Sequence, residues 1–307
     1  MRVVVQGAGS LGSLVGGLLA AAGEDVTLLG RSGEHLDTVA DRGLVVERPD
    51  GTATTTHPAT ATDPAVVADA DLAVVCVKSY DTADAASELG GHLDGADVLT
   101  LQNGLGNAEA LAERVPAAAV LAGTTTHGAV LETPGVVRHA GAGDTTVGRY
   151  FADNDAVVRE VAATLSAAGL EATVTDDPEV AVWTKVLVNA GINAATALAR
   201  VPNGSLVETE PGERLLERAV AEGAAVADAA GVDVPDDVLA QTRAVARQTA
   251  SNRSSMRQDV ERGSRTEVEA LHGALAERAD EHGVEAPVLR TLADLVRLAE
   301  HGERAVE

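Results

Sequence analysis

A chain of 307 residues is long enough to bury two cores, because single cores rarely grow past about 250 residues. Its 47 acidic residues against 23 basic ones leave a formal net charge of −24, a field that repels nucleic acid and anionic membranes and excludes both as main partners. The single cysteine, Cys76, excludes an intramolecular disulfide and any multi-cysteine metal site, so a reducing compartment is expected.

The first residues, MRVVVQGAGS, lack the long apolar stretch of a signal peptide, and no apolar run reaches the ~18 residues of a membrane span, so a cytoplasmic protein is expected. Val3, Val4 and Val5 are a β-branched run ending at Gly7, and residues 11–22 carry a helical pattern closed by Gly23. Between strand and helix, Gly7-Ala8-Gly9-Ser10-Leu11-Gly12 matches G-x-G-x-x-G in the context that gives this motif its meaning. Gly7 permits the tight turn, Gly9 lets a pyrophosphate approach the backbone, and Gly12 lets helix pack closely on strand.

Residues 25–29 read as a second strand. Where a domain preferring NAD carries an acidic residue for the ribose hydroxyls, this chain has Leu29-Gly30-Arg31-Ser32. Arg31 favours the 2′-phosphate of NADP; the alternative is a solvated residue that stacks on adenine with either cofactor. Segments 44–47 and 52–56 flank Pro49-Asp50-Gly51, a turn signal for a hairpin inserted in the winding. Strands are expected at 72–77, which carries Cys76 as a core residue, and at 98–101, with helices over 82–89 and 107–114. A second hairpin is expected over 128–139 around Pro134-Gly135, then a strand at 145–148, a helix over 156–168 closed by Gly169, and a short strand at 171–174.

From Pro178 onward the pattern is helical, broken at Pro202-Asn203-Gly204, Gly231, Pro235, Gly283 and Pro287. The expected fold is therefore α/β: an N-terminal Rossmann-like dinucleotide-binding domain over residues 1–176 and a C-terminal all-α domain over 177–307.

The segment 183–193 places Lys185, Asn189 and Asn193 four residues apart, hence on one helix face. Asn prefers caps and turns, so two of them beside a Lys suggest donors facing a cleft, although a solvated polar face fits the spacing equally well. Composition tips the balance. All but two of the 23 basic residues are Arg, the exceptions being Lys78 and Lys185. Arg cannot release a proton near neutrality whereas a desolvated Lys can, which makes Lys185 a candidate general acid.

The acidic surplus, the scarcity of Lys and the four aromatic residues in the whole chain resemble proteins of salt-accumulating microbes, in which ions screen the self-repulsion. Compositional drift in a GC-rich genome is the alternative. A melting series against potassium chloride separates the two: we expect the melting temperature to rise steadily into the molar range, and a flat series contradicts salt adaptation.

The N-terminal glycine loop, Arg31, Val77-Lys78, Gln102-Asn103-Gly104, Lys185 with Asn189 and Asn193, Pro202-Asn203-Gly204, and Ser254-Ser255-Met256-Arg257-Gln258-Asp259 leading to Thr266-Glu267 occur in an order that resembles the ketopantoate reductase family from end to end. The resemblance implies hydride transfer from NADPH to the C2 ketone of 2-dehydropantoate, giving (R)-pantoate on the route to coenzyme A. It implies that Lys185 protonates the developing alkoxide and that Glu267 orients lysine and substrate. Asn103 would touch substrate or the nicotinamide ribose, and Lys78 would lie near the cofactor. Asn189, Asn193, Asn203 and Ser255 would contact the substrate's hydroxyl and carboxylate, with Asn203 the member most easily read as a turn residue.

His127 and His139 are expected to be structural, and no metal is expected, since hydride transfer needs none. A homodimer is the candidate assembly. Two alternatives remain open at this point: a reductase of another small 2-oxo or 3-hydroxy acid, and a regulator that senses NADP(H) without turnover, which would need neither Lys185 nor Glu267.

Overall fold

In the computed structural model, which describes residues 1–304, the β-branched N-terminal run forms β1 (Arg2–Gln6), followed by α1 (Ser10–Ala21), β2 (Asp25–Leu29) and α2 (Glu34–Arg42). Then come β3 (Leu44–Glu47), β4 (Ala53–Thr56), β5 (Ala59–Ala61), β6 (Leu72–Val75), α3 (Thr82–Gly90), β7 (Asp97–Thr100) and α4 (Asn107–Ala112). The sequence continues through β8 (Val120–Thr125), β9 (Gly128–Thr133), β10 (Val136–Gly141), β11 (Thr145–Arg149), α5 (Ala156–Ala167) and β12 (Ala172–Val174).

By their internal contacts the residues fall into two units: Met1–Gln102 with Asn107–Pro178, and Asn103–Gly106 with Glu179 onward. The sequence pattern divides the chain after Asp176. It contains nothing that would assign the four residues following Gln102 to the second unit.

The main sheet of the first unit has the order β12-β11-β8-β7-β6-β1-β2-β5. All neighbours pair in parallel except β8 and β11. β1 sits inside the sheet, which is why Val3, Val4 and Val5 are all buried and its pattern is continuous rather than alternating.

The two expected hairpins form, but they also join. β3 and β10 pair in parallel, giving a second sheet of order β4-β3-β10-β9. Each hairpin has an apolar side, carrying Leu44, Val46 and Val137, that must be covered, and α1 covers it. Small residues on α1 allow both sheets to approach. A Cβ on Gly17 would stand 2.6 Å from Val46 Cγ2, and one on Gly16 would stand 2.4 Å from Leu28 Cδ2. α1 is therefore packed between layers, which holds its N-terminus rigidly at the end of β1.

The second unit is helical: α6 (Pro178–Ala199), α7 (Ser205–Glu208), α8 (Glu210–Ala229), α9 (Val238–Gln248), α10 (Ser255–Glu261), a π turn (Glu269–Gly273), α11 (Ala274–His282) and α12 (Pro287–Arg304). Trp183, Leu187, Leu216, Val220, Leu271, Leu275 and Leu289 form its core. α6 runs through it in close contact, since a Cβ on Gly191 would lie 2.8 Å from Val220 Cγ2 on α8 and 2.9 Å from Thr242 Cγ2 on α9. Gly283 ends α11 in the left-handed region at φ 69°, and the Glu222 carboxylate accepts the Val288 and Leu289 amides at the start of α12. No helix among the described residues is long and apolar enough to cross a membrane.

Candidate active site

The glycine loop occupies the β1–α1 turn. Gly7 has φ 102°, which favours glycine, and it lies against the backbone of the next strand connection: a Cβ there would be 2.6 Å from the Val77 nitrogen. Gly12 is tighter still, since its Cβ would fall 2.0 Å from the Gly7 carbonyl oxygen. Gly9 is the opposite case. It precedes α1, has no neighbour within 4 Å of an ideal Cβ, and provides no side-chain cap to the helix. Gly9 thus leaves the start of a 12-residue helix without a side chain crowding it, and the first amides of such a helix are the groups that can receive a phosphate.

Ala8 and Leu11 bring apolar side chains to the turn, the Ala8 carbonyl accepts the Ser13 hydroxyl at 3.4 Å, and the Ser10 hydroxyl accepts the Leu131 amide at 3.1 Å, tying the loop to β9. A neutral His35 supports the same helix. Its Nδ1 accepts the Gly135 amide at 3.0 Å, so its Nε2 carries the proton and faces the Ser13 hydroxyl at 3.0 Å; burial lowers its pKa.

Arg31 follows β2 and is exposed, with Gly30 between it and the strand. Lys78 follows Val77 and is half-buried. Its loop is held by Gln102, which the sequence reading counted only as part of a motif. The Gln102 amide donates to the Val77 carbonyl at 3.0 Å and the Thr82 hydroxyl at 2.7 Å, while Thr100 donates to its Oε1 at 3.0 Å. Cys76 packs beneath the loop, and burial pushes its thiol up to about 12, so it is inert at neutral pH.

In the second unit, Lys185, Asn189 and Asn193 share one face of the uninterrupted α6. Burial lowers the Lys185 pKa to about 8, and the nearby Glu267 carboxylate partly opposes the shift. Glu267 itself is only 7% exposed and accepts a hydrogen bond from Asn103 Nδ2 at 3.2 Å. Residues far apart in sequence, 103, 185 and 267, therefore form one polar cluster: an ammonium able to lose its proton, a buried carboxylate and a side-chain amide.

The remaining expected residues divide. Asn193 is buried and Asn189 half-buried. Ser255 is exposed at the start of α10, while its neighbour Ser254 pins that helix to α6 through Thr196, hydroxyl to hydroxyl at 2.8 Å, and accepts the Arg257 amide. Asn203 is buried and donates to the Thr249 hydroxyl at 2.9 Å, tying the turn before α7 to the end of α9; its Oδ1 has no protein partner.

His127 and His139 form a buried pair in the first unit. His127 Nε2 faces the Leu170 carbonyl at 3.1 Å and its Nδ1 faces His139 Nε2 at 2.9 Å, so the pair joins the β8–β9 connection and β10 to the turn before β12. Among the described residues no group of three or more His, Cys, Asp or Glu is placed to hold a metal.

Comparison with known proteins gives a consistent result. Residues 3–151 match the family profile described as "Ketopantoate reductase PanE/ApbA", and residues 177–300 match the profile of its C-terminal part. A 2-dehydropantoate 2-reductase of Halobacterium salinarum is 66% identical over 300 residues, covering 98% of this chain and 99% of that protein. A ketopantoate reductase structure from Ralstonia eutropha superposes with a TM-score of 0.91 at 34% identity, over 99% of this chain and all of the other. A D-mandelate dehydrogenase bound to NADH and anilino(oxo)acetate superposes with a TM-score of 0.92 at 25% identity, over 99% of this chain and 100% of the other.

Proposed function

The chain belongs to the ketopantoate reductase family, whose members are NAD(P)-dependent oxidoreductases, and from that premise we propose that it reduces 2-dehydropantoate to (R)-pantoate with NADPH, a step in pantothenate and coenzyme A synthesis. The observation that carries this reading is the cluster of Lys185, Glu267 and Asn103, in which burial has brought a lysine within reach of neutral pH. The dinucleotide fits the first unit, where Gly7, Ala8, Gly9, Ser10, Leu11 and Gly12 build a cradle in which a Cβ at Gly9 would occupy otherwise empty space. When bound, it supplies the hydride.

The chain's own residues supply the rest. As negative charge grows on the C2 oxygen of the keto acid, the Lys185 ammonium stabilises it and then passes a proton from Nζ to that oxygen, leaving a neutral amine and an alcohol. Glu267 keeps lysine protonated more of the time than burial alone would allow and accepts the Asn103 amide; Asn103 is assigned to the substrate or the nicotinamide ribose. Asn189, Asn193, Asn203 and Ser255 are assigned to the substrate's hydroxyl and carboxylate, with Asn203 also tying α9. Lys78, held by the Gln102 network, and Asn103 complete the cofactor contacts.

Two measurements test this reading. Incubation with NADPH and 2-dehydropantoate should yield one pantoate for each NADPH consumed; tight cofactor binding without turnover on any oxo acid would favour a sensor instead. For the cofactor, Arg31→Ala should raise the KM for NADPH by ~10- to 100-fold, the value of a lost charge-assisted contact to a phosphate, and leave that for NADH nearly unchanged. Equal losses for both would overturn the assignment of Arg31 to the 2′-phosphate.

A further inference from the structure

Two residues after Glu267, which lies in an irregular segment, the backbone enters helical winding with a π rather than an α pattern. Over Glu269–Gly273 it forms a π turn, with the Gly273 amide bonded to the Val268 carbonyl at 2.9 Å and the Ala274 amide reaching Glu269 instead of Ala270. The Ala270 carbonyl then accepts an outside donor, the Leu105 amide, at 2.9 Å. The fit is close: a Cβ on Gly104, which has φ 99°, would stand 2.4 Å from Ala270 Cβ and 2.7 Å from its oxygen. The segment that carries Asn103 is thus fastened to the π turn two residues beyond the asparagine.

The same turn holds α6. His272, fully buried in the turn, faces the Ala190 carbonyl through Nε2 at 3.1 Å, while its Nδ1 is buried without a partner. A carbonyl can only accept, so Nε2 carries the proton and Nδ1 is the bare nitrogen. Burial lowers its pKa to about 4, keeping the ring neutral. Ala190 lies between Asn189 and Asn193 on the helix that bears Lys185. A buried imidazole with one nitrogen unsatisfied is costly, and an apolar side chain of similar size would avoid that cost.

We propose that the π turn gathers the catalytic cluster, and that His272 is a positioning residue which, through the Ala190 carbonyl, fixes the register of Lys185 against Glu267. The turn has three attachments: Glu267 by direct chain continuity, Asn103 through Leu105 and Gly104, and α6 through His272. The proposal rests on reading Lys185 and Glu267 as the catalytic pair.

The test compares His272→Leu, which keeps volume but loses the donor, with His272→Gln, which retains an N–H donor, in multimolar potassium chloride with folding monitored by circular dichroism. The leucine variant should stay folded, keep its KM for NADPH within about two-fold, and lose ~30-fold in kcat, as expected when a catalytic group is misplaced by a fraction of an ångström. The basic limb of its pH profile should move away from that of the wild-type protein, and glutamine should restore most of both properties. If the leucine variant does not fold, His272→Met takes its place with the same expectations, since an unbranched thioether fills irregular space. A folded, non-donating variant with wild-type kcat and an unmoved limb overturns the proposal. Wild-type turnover in the same assay distinguishes the two readings: its absence defeats the assigned function, whereas its presence beside an unaffected leucine variant defeats only the role of His272.

Discussion

Lys185→Ala is expected to lower kcat for 2-dehydropantoate by ~10³-fold while the KM for NADPH stays within about two-fold, because the lysine is assigned to both the proton and the charge stabilisation. The wild-type pH profile provides the complementary test. Burial is the larger influence on Lys185 and pulls its pKa down to about 8, with Glu267 acting in the other direction. The protonated form is the acid, so activity should be complete below that value and fall as pH rises through it. The alanine variant should lack this limb. A Lys185→Arg variant retains charge but cannot release a proton near neutrality, so it should recover part of the rate and also lack the limb. An alanine variant that keeps the wild-type limb, or one with near-normal kcat, would remove Lys185 from the reaction.

Gly12→Ala is expected to be the most damaging change in the first unit. Its Cβ would lie 2.0 Å from the Gly7 carbonyl oxygen and 3.2 Å from Cys76 Cβ, so loop, helix or strand must move. We expect a lower melting temperature and a KM for NADPH raised on the order of 100-fold, since displacement of a binding loop by about 1 Å has consequences of that size. Gly9→Ala separates packing from binding. Gly9 has φ −83° and open space around it, so alanine should leave the melting temperature unchanged and raise only the KM for NADPH. Equal loss of stability in both variants would contradict the roles given to the two glycines.

Much of this molecule could be read from local pattern. The β1–α1 turn was legible because strand, glycines and helix are consecutive, and both hairpins were legible from Pro-Asp-Gly and Pro-Gly turns. The joining of those hairpins was not: pairing of β3 with β10 depends on the apolar face of α1, which a strand pattern does not record. β5, β8 and α2 were missed for related reasons. β5 is three residues long, and β8 (VLAGTT) follows an alanine-rich stretch that has no strand signature. α2 (EHLDTVADR) has only Leu36 and Val39 buried.

For the site, spacing placed Lys185, Asn189 and Asn193 on one face, and the scarcity of lysine singled out the first. Glu267 carries no such signal among 47 acidic residues; only the family resemblance pointed to it. Its contact with Asn103 joins positions 164 residues apart, beyond the reach of periodicity. Gln102, Ser254 and His272 were overlooked as supports because their partners, Val77, Thr196 and Ala190, are likewise remote. A π turn has no sequence signature comparable to a glycine loop.

The measurement that tests the central claim most directly is kcat/KM with NADPH for 2-dehydropantoate against a panel of other 2-oxo acids, including the oxidised counterpart of mandelate, in multimolar potassium chloride. The account predicts a preference for 2-dehydropantoate of ~100-fold or more, the scale on which buried polar groups matched to one substrate discriminate against others. Comparable or faster turnover of another acid would leave the fold and the dinucleotide loop standing and contradict the assigned substrate.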